Sequence, residues 1–169
     1  MVGKTIWKLI IRKLEPSDWP RIEEIYKAGI LTGMATFETS TPEWESWDDN
    51  HVQHSRWVAE ENNYIQGWVA LSPVSDRCVY GGVAEVSVYL DPEYRGQGLG
   101  KKLLEHAIES SEQQGIWTLT AAMFPENKAS AMLHRSCGFR EIGYREKVGK
   151  LLGEWKDTLL FERRSKVII

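Results

Sequence analysis

The chain has 169 residues, 42% of them hydrophobic and 27% charged, and a net charge of −3. This suits one globular domain over residues 1–169 with a sizeable core, and the charge offers no basic footprint for nucleic acid. Two cysteines, Cys78 and Cys137, make no disulfide framework and have no partners at metal spacing. No apolar run reaches the roughly 18 residues of a membrane span, and Lys4, Lys8 and Arg12 interrupt any signal-peptide core, so a cytoplasmic protein using no metal is expected.

Residues 6–14 alternate as a first strand, stopped by Pro16. Ser17 or Asp18 then caps a helix with Ile22, Ile25, Tyr26 and Gly29 on one stripe. Residues 30–40 have no period and read as a loop, or as two helices broken at Gly33. Thr41-Pro42 pairs a cap with proline at the first helical position, and Trp44, Trp47 and His51 follow on one face. Residues 56–60 and 64–72 form two strands joined at residues 61–63.

Residues 73–77 are a loop, and residues 78–90 read as one long strand with a bulge or bend at Gly81-Gly82. Gly96, Gly98 and Gly100 come next. A helix over residues 98–114 carries the stripe Leu99, Leu103, Leu104, Ala107 and Ile108 and closes at Gly115. Residues 117–123 are a strand. Asn127 caps a short helix with Ala129, Met132 and Leu133 inward, ended by Gly138. Residues 139–147 and 155–163 form a last strand pair around residues 150–154, and residues 165–169 are a loose tail. One crossover helix, between Leu90 and Trp117, makes this an α/β chain with a mostly antiparallel sheet and a parallel pair at its centre.

The order strand, glycine loop, helix over residues 85–101 leaves backbone N–H groups free at a helix N-terminus, where the dipole also favours anions. It is a phosphate cradle, and two kinds are excluded. A dinucleotide fingerprint needs glycine where Lys101 stands. A P-loop needs glycine at Arg95 and Ser or Thr after Lys101.

What is present, Arg-x-x-Gly-x-Gly after a strand, resembles the acetyl-CoA loop of the GNAT superfamily of N-acetyltransferases. Residues 85–89, Asn127-Lys128-Ala129-Ser130, Leu133-His134, Gly138-Phe139 and residues 153–157 fall in the order of its phosphinothricin and methionine sulfoximine acetyltransferase branch. Phe37-Glu38-Thr39 and residues 77–80 fit that branch too, and the match runs over about residues 8–162. The resemblance implies a GNAT fold: a central mixed sheet with helices on both faces and acetyl-CoA bound at a splayed parallel strand pair. It implies an enzyme that moves the acetyl group of acetyl-CoA to the α-amine of a small amino acid or analogue. A protein N-terminus or a polyamine is the alternative acceptor, and a catalytically silent acyl-CoA-binding module the alternative class. Relatives are commonly homodimers.

Acyl transfer to an amine needs a base, because the ammonium pKa lies well above neutral. Glu85 begins the strand that feeds the glycine loop, and the resemblance makes it the general base, directly or through water. His134 is the second candidate, able to assist at the thiolate or to share the base role. Both are expected on the same side of the fold, near the thioester. The resemblance assigns acetyl-CoA to Val88, Tyr89, Leu90, Arg95, Gly96, Gln97, Gly98, Leu99, Gly100, Lys101, Asn127 and Ser130. Asn127 doubles as a helix cap and a pantetheine contact. Thr36, Phe37, Arg77 and Tyr80 are acceptor candidates, Arg77 for a carboxylate. In one place the chain departs from the branch: Leu151 stands where a substrate-contacting lysine is usual, with Lys150 one residue earlier.

Overall fold

Hydrophobic alternation along the strands decides the layers of the molecule, a computed structural model that describes residues 8–169. Seven strands form one sheet in the order β1-β2-β3-β4-β5-β7-β6. They are β1 (Ile10–Lys13), β2 (Trp57–Glu61), β3 (Tyr64–Pro73), β4 (Val83–Leu90), β5 (Thr118–Met123), β6 (Arg140–Leu151) and β7 (Glu154–Arg164). Every pair is antiparallel except β4 with β5. The four α-helices among the described residues are α1 (Trp19–Leu31), α2 (Trp44–Asp49), α3 (Leu99–Gln113) and α4 (Lys128–Ser136).

On β3, Val69 and Leu71 enter one core with α3 and α4, while Trp68 and Ala70 enter the other with α1 and α2. The sheet is therefore covered on both faces. The α3 stripe is fully used: Leu103 and Leu104 are completely buried, each worth about 1.5–3 kcal/mol of transfer free energy. Trp19, Trp47 and Trp68 are buried in the other core with Trp44 packed against it, and the Trp47 ring stacks on His51.

Several boundaries differ from the sequence reading, each for a physical reason. Strand β1 covers only Ile10–Lys13 of the expected residues 6–14, and residues 6 and 7 lie outside the described residues. Helix α1 ends at Leu31 and Gly33 takes φ +65, so residues 32–43 are a loop. Thr41 caps no helix: its hydroxyl donates to the Glu23 carboxylate, and α2 begins at Trp44 after an extended Glu43.

The long strand expected from Cys78 is instead a 3-10 turn, Cys78–Tyr80, followed by β4 from Val83. Gly82 is no bulge; a Cβ there would lie 2.0 Å from the Trp117 ring, so glycine lets the strand press on that indole. Strand β6 runs on to Leu151, through a bulge between Arg145 and Gly149, and turns at Leu152-Gly153. Helix α4 buries Ala131 and His134, whereas Ala129 and Met132 are exposed. The tail is held: Ser165 N–H donates to the Trp117 carbonyl, and Arg164 reaches the carbonyl of Ile168.

Candidate active site

The parallel pairing of β4 and β5 lasts for three positions, Val83↔Thr118, Ala84↔Leu119 and Glu85↔Thr120. Beyond Glu85, β4 continues along β3 to Leu90 and β5 continues along β7 to Met123, so a wedge opens between them. The backbone groups facing it follow from the ladder. Asp91 N–H donates to the Gln66 carbonyl at 2.9 Å. Alternation then commits the backbone of Tyr89, Ser87 and Glu85 to β3 and turns that of Leu90, Val88 and Val86 into the wedge. Val88 and Leu90 thus have backbone groups that no neighbouring strand pairs. Tyr89 does not, since its backbone is engaged with β3 and its ring lies on the α1 face.

At the C-terminal end of β4 the chain makes a 3-10 turn, Pro92–Tyr94, capped by the Asp91 carboxylate accepting from Glu93 N–H. Arg21 and Tyr64 also bond to Asp91, and the carboxyl sits below the usual carboxylate range. The glycine loop follows. Gly96 and Gly98 have φ +73 and +80, conformations that favour glycine, and a Cβ at either would touch nothing within 4 Å. The loop is open. The first helical bond of α3 is Lys102 N–H to Gly98 C=O, so the amides of Leu99, Gly100 and Lys101 are unpaired donors at the helix start.

Gly100 has another task as well. Its Cβ would lie 3.2 Å from Leu133, so glycine there lets α4 approach α3. Leu99 is buried and contributes its amide alone. Arg95 reaches back to the Leu90 carbonyl, Gln97 to that of Glu93, and Lys101 is exposed beside Glu105.

Glu85 leaves β4 on the α1 face, exactly where the wedge begins to widen. Water reaches its side chain, yet protein is crowded round the carboxyl. Burial pushes its pKa up, and the charge of Arg145 on β6 pulls it back down. Tyr89 and Tyr26 stand beside it with rings 4.8 Å apart. Both hydroxyls are raised, first by burial, and feel Thr36 and Glu38 as well; Tyr89 also feels Glu85. Phe37 packs edge-on against Phe124 at 4.9 Å and lies where a Cβ on Gly149 would need to go. Thr36 thus lies near the Tyr26 and Tyr89 hydroxyls, and Phe37 reaches from the α1–α2 loop to the β6–β7 hairpin at Gly149.

His134 approaches from the other face of the sheet, against Phe139 and Phe161. This corrects the expectation that it shares a side with Glu85; helical spacing from Asn127 turns it into the α3–α4 core. Its Nδ1 is 2.8 Å from the Ser130 carbonyl, which can only accept, so Nδ1 carries the proton. Nε2 is then a lone pair, buried and without a hydrogen-bond partner among the described residues. Burial holds the imidazole pKa below its ordinary value, so the ring is neutral near pH 7.

Asn127 caps α4 by accepting Ser130 N–H at 3.1 Å, and its amide donates to the Met34 carbonyl at 3.2 Å. Arg77 and Tyr80 flank the 3-10 turn before β4, the guanidinium 5.6 Å from the Tyr80 ring and both side chains exposed. No contact joins Arg77 to Glu85. Lys150 Nζ lies 4.7 Å from the Trp155 ring, and Leu151 is buried. Sequence reasoning missed Arg145, whose orientation depends on the β6 bulge, and treated Tyr26 as core alone.

A cavity of about 380 Å³ lies elsewhere, between Lys13, His54, Arg56, Trp57 and Ser110, and touches none of these residues. A smaller one, about 190 Å³, adjoins the glycine loop at Tyr94, Gln97 and Lys102. Among the described residues no group of His, Cys, Asp or Glu is placed to hold a metal ion, and no helix is long and apolar enough to cross a membrane.

Comparison with known proteins agrees with this geometry. The model of the acetyltransferase (GNAT) family matches residues 13–139. An L-methionine sulfoximine/L-methionine sulfone acetyltransferase of Salmonella typhimurium is 29% identical over 159 residues, covering 91% of this chain and 93% of its own. A GNAT superfamily phosphinothricin acetyltransferase from Sinorhizobium meliloti, solved in complex with acetyl-CoA, superposes with a TM-score of 0.82 at 27% identity over 95% of both chains. A ribosomal-protein-alanine N-acetyltransferase from Brucella melitensis gives a TM-score of 0.87 at 29% identity, over 93% of this chain and 100% of its own.

Proposed function

The chain belongs to the acetyltransferase (GNAT) family, and on that footing we propose that it acetylates the α-amine of a small amino acid or analogue, of the phosphinothricin, methionine sulfoximine or methionine sulfone type. The observation that carries this reading is the fork of β4 and β5. It combines an unpaired backbone edge at Val88 and Leu90, an anion seat at residues 96–101, and a carboxylate, Glu85, at its apex.

Acetyl-CoA supplies the activated acetyl group as a thioester. Val88 and Leu90 hold the pantetheine amides as an added strand. The free amides of Leu99, Gly100 and Lys101, with the Arg95 and Lys101 charges, hold the phosphates. Glu85 removes a proton from the acceptor ammonium. The amine nitrogen then bonds the acetyl carbon, the carbon–sulfur bond breaks, and the nitrogen's second proton passes to the departing thiolate or to water. A thiol pKa of about 8.5 makes the thiolate a fair leaving group, so a strong acid is not required. The neutral, Nδ1-protonated form of His134 supports a share in the base role over proton donation to the thiolate.

Thr36 and Phe37 border the acceptor. Arg77 and Arg145 form no salt bridge among the described residues, and either offers a two-pronged partner for its carboxylate. The β6–β7 hairpin exposes Ile142, Val148, Leu152 and Trp155, an apolar surface that suits pairing with a second copy as a homodimer. The need for acetyl-CoA as co-substrate fits action in the cytoplasm.

The test is thiol release from acetyl-CoA with L-methionine sulfone, an alanine-initiated peptide and spermidine as acceptors. L-Methionine sulfone should be the best of the three. Preference for the peptide would favour the second reading, a protein N-terminal acetyltransferase, which the Brucella melitensis likeness supports. Thiol release with none of them, in a protein that binds acetyl-CoA, would indicate a silent binding module.

A further inference from the structure

The loop over residues 32–43 carries Thr36 and Phe37 and has no secondary structure of its own. Most of its hydrogen bonds are local. Thr32 and Gly33 return to carbonyls of α1, Met34 N–H goes to the Thr32 hydroxyl, Glu38 N–H to the Thr36 hydroxyl, and the Thr41 hydroxyl to Glu23 on α1. One bond crosses 93 positions of chain: Asn127 Nδ2 donates to the Met34 carbonyl at 3.2 Å. A second contact stands beside it. Phe37 packs against Phe124, whose carbonyl accepts Asn127 N–H at 2.9 Å, so one short turn grips the loop by a ring and by an amide.

We propose that Asn127 is a positioning residue for the acceptor loop: its side-chain amide ties Met34 to the cap of α4 and so holds Thr36 and Phe37 in place. This rests on the acetyltransferase reading and differs from the pantetheine contact expected of Asn127. The amide orientation is internally consistent. The carbonyl end accepts Ser130 N–H, which leaves the nitrogen end facing Met34. The same cap leads on to His134, whose Nδ1–H donates to the Ser130 carbonyl. Three hydrogen bonds therefore join the loop that borders the acceptor to the buried imidazole.

The cap and the clamp use different ends of one side chain, so they can be separated. Asn127→Asp keeps the acceptor for Ser130 N–H, and Asp caps a helix as well as Asn does. It removes the donor and sets a carboxylate against the Met34 carbonyl. Asn127→Ser likewise keeps a capping oxygen and loses the clamp. Hydrogen exchange of both variants should show faster exchange at residues 33–38, with the protection of residues 131–136 unchanged. The KM for L-methionine sulfone should rise about 2- to 12-fold, the value of one neutral hydrogen bond. The acetyl-CoA dissociation constant, by calorimetry, should stay within about twofold. Unchanged exchange at residues 33–38 in both variants would overturn the clamp. A raised acetyl-CoA constant with an unchanged acceptor KM would return Asn127 to the cofactor. If the wild type ignores L-methionine sulfone, the acceptor assignment fails, while the exchange result still decides the clamp.

Discussion

Arg145, on β6, comes near enough to Glu85, at the fork of β4 and β5, for its charge to offset part of the rise that burial imposes on the Glu85 carboxyl. The two residues are 60 positions apart, and two strands, β5 and β7, lie between theirs in the sheet order. The β6 bulge at residues 145–149 accompanies the arrangement.

Replacing the base is the first consequence. Glu85→Gln keeps the shape of the side chain and loses its charge. It should lower kcat about 10²- to 10⁴-fold while leaving acetyl-CoA binding nearly unaltered. It should also flatten the acidic limb of the pH profile of kcat/KM, since that limb reports the free base. Wild-type rates with an unchanged limb would put the base elsewhere.

The position of that limb is a separate prediction. Glu85 is active when ionised, and burial raises its pKa, so activity should fall as pH drops through a value above the ordinary carboxylate range. Arg145→Ala removes the effect that favours the ionised form, so the limb should move to higher pH. A limb that stays put, or moves down, would show that Arg145 does not act on Glu85.

Two guanidinium groups compete for the acceptor carboxylate. A charge-assisted pair is worth roughly 1.5–3 kcal/mol, or about 10- to 150-fold. Comparing L-methionine sulfone with its methyl ester in Arg77→Ala and Arg145→Ala assigns the role: the variant that stops discriminating has lost the carboxylate partner. If both still discriminate as the wild type does, neither holds it.

Gly98 and Gly100 should separate into binding and packing. Gly98→Asp places a carboxylate in the open anion seat and should raise the acetyl-CoA dissociation constant at least about tenfold. Gly100→Ala keeps the helix-start amides and sets its Cβ 3.2 Å from Leu133, so acetyl-CoA binding should stay near wild type while the roughly 1 kcal/mol that alanine ordinarily gains over glycine in a helix is lost to that contact. Calorimetry and urea unfolding on both variants distinguish the two effects.

Gly82→Ala is the sharpest stability test. Its Cβ would lie 2.0 Å from the Trp117 ring, so the indole or the start of β4 must shift. A loss of about 1–3 kcal/mol in urea unfolding is expected, with a red shift of tryptophan emission if Trp117 is pushed toward water. Wild-type stability would mean that the contact is looser than the structure shows.

Much of this arrangement is legible locally. The α3 stripe of Leu99, Leu103, Leu104, Ala107 and Ile108 is a 3.6-residue period, and all five are buried as the period requires. Gly96, Gly98 and Gly115 announce their turns because positive φ is a property of single residues. Asn127 announces α4 because a cap needs a side-chain oxygen one turn away. The strand–glycine–helix order places an anion seat without any knowledge of the rest of the chain.

Other features were decided only when distant segments met. Gly82 reads as a strand bulge until Trp117 is laid on it, and Thr41 reads as a cap until Glu23 comes within reach. His134 and Glu85 read as neighbours; the sheet puts one on each face, because the face a side chain takes depends on how its element packs. Arg145 carries no pattern at all, since a bulge breaks the two-residue alternation from which facing is inferred. Periodicity, caps and turns come from interactions within a few residues, which the sequence states directly. The fork, the facing of its charges and the grip of Asn127 on Met34 come from contacts across tens of residues, and only the folded sheet sets those.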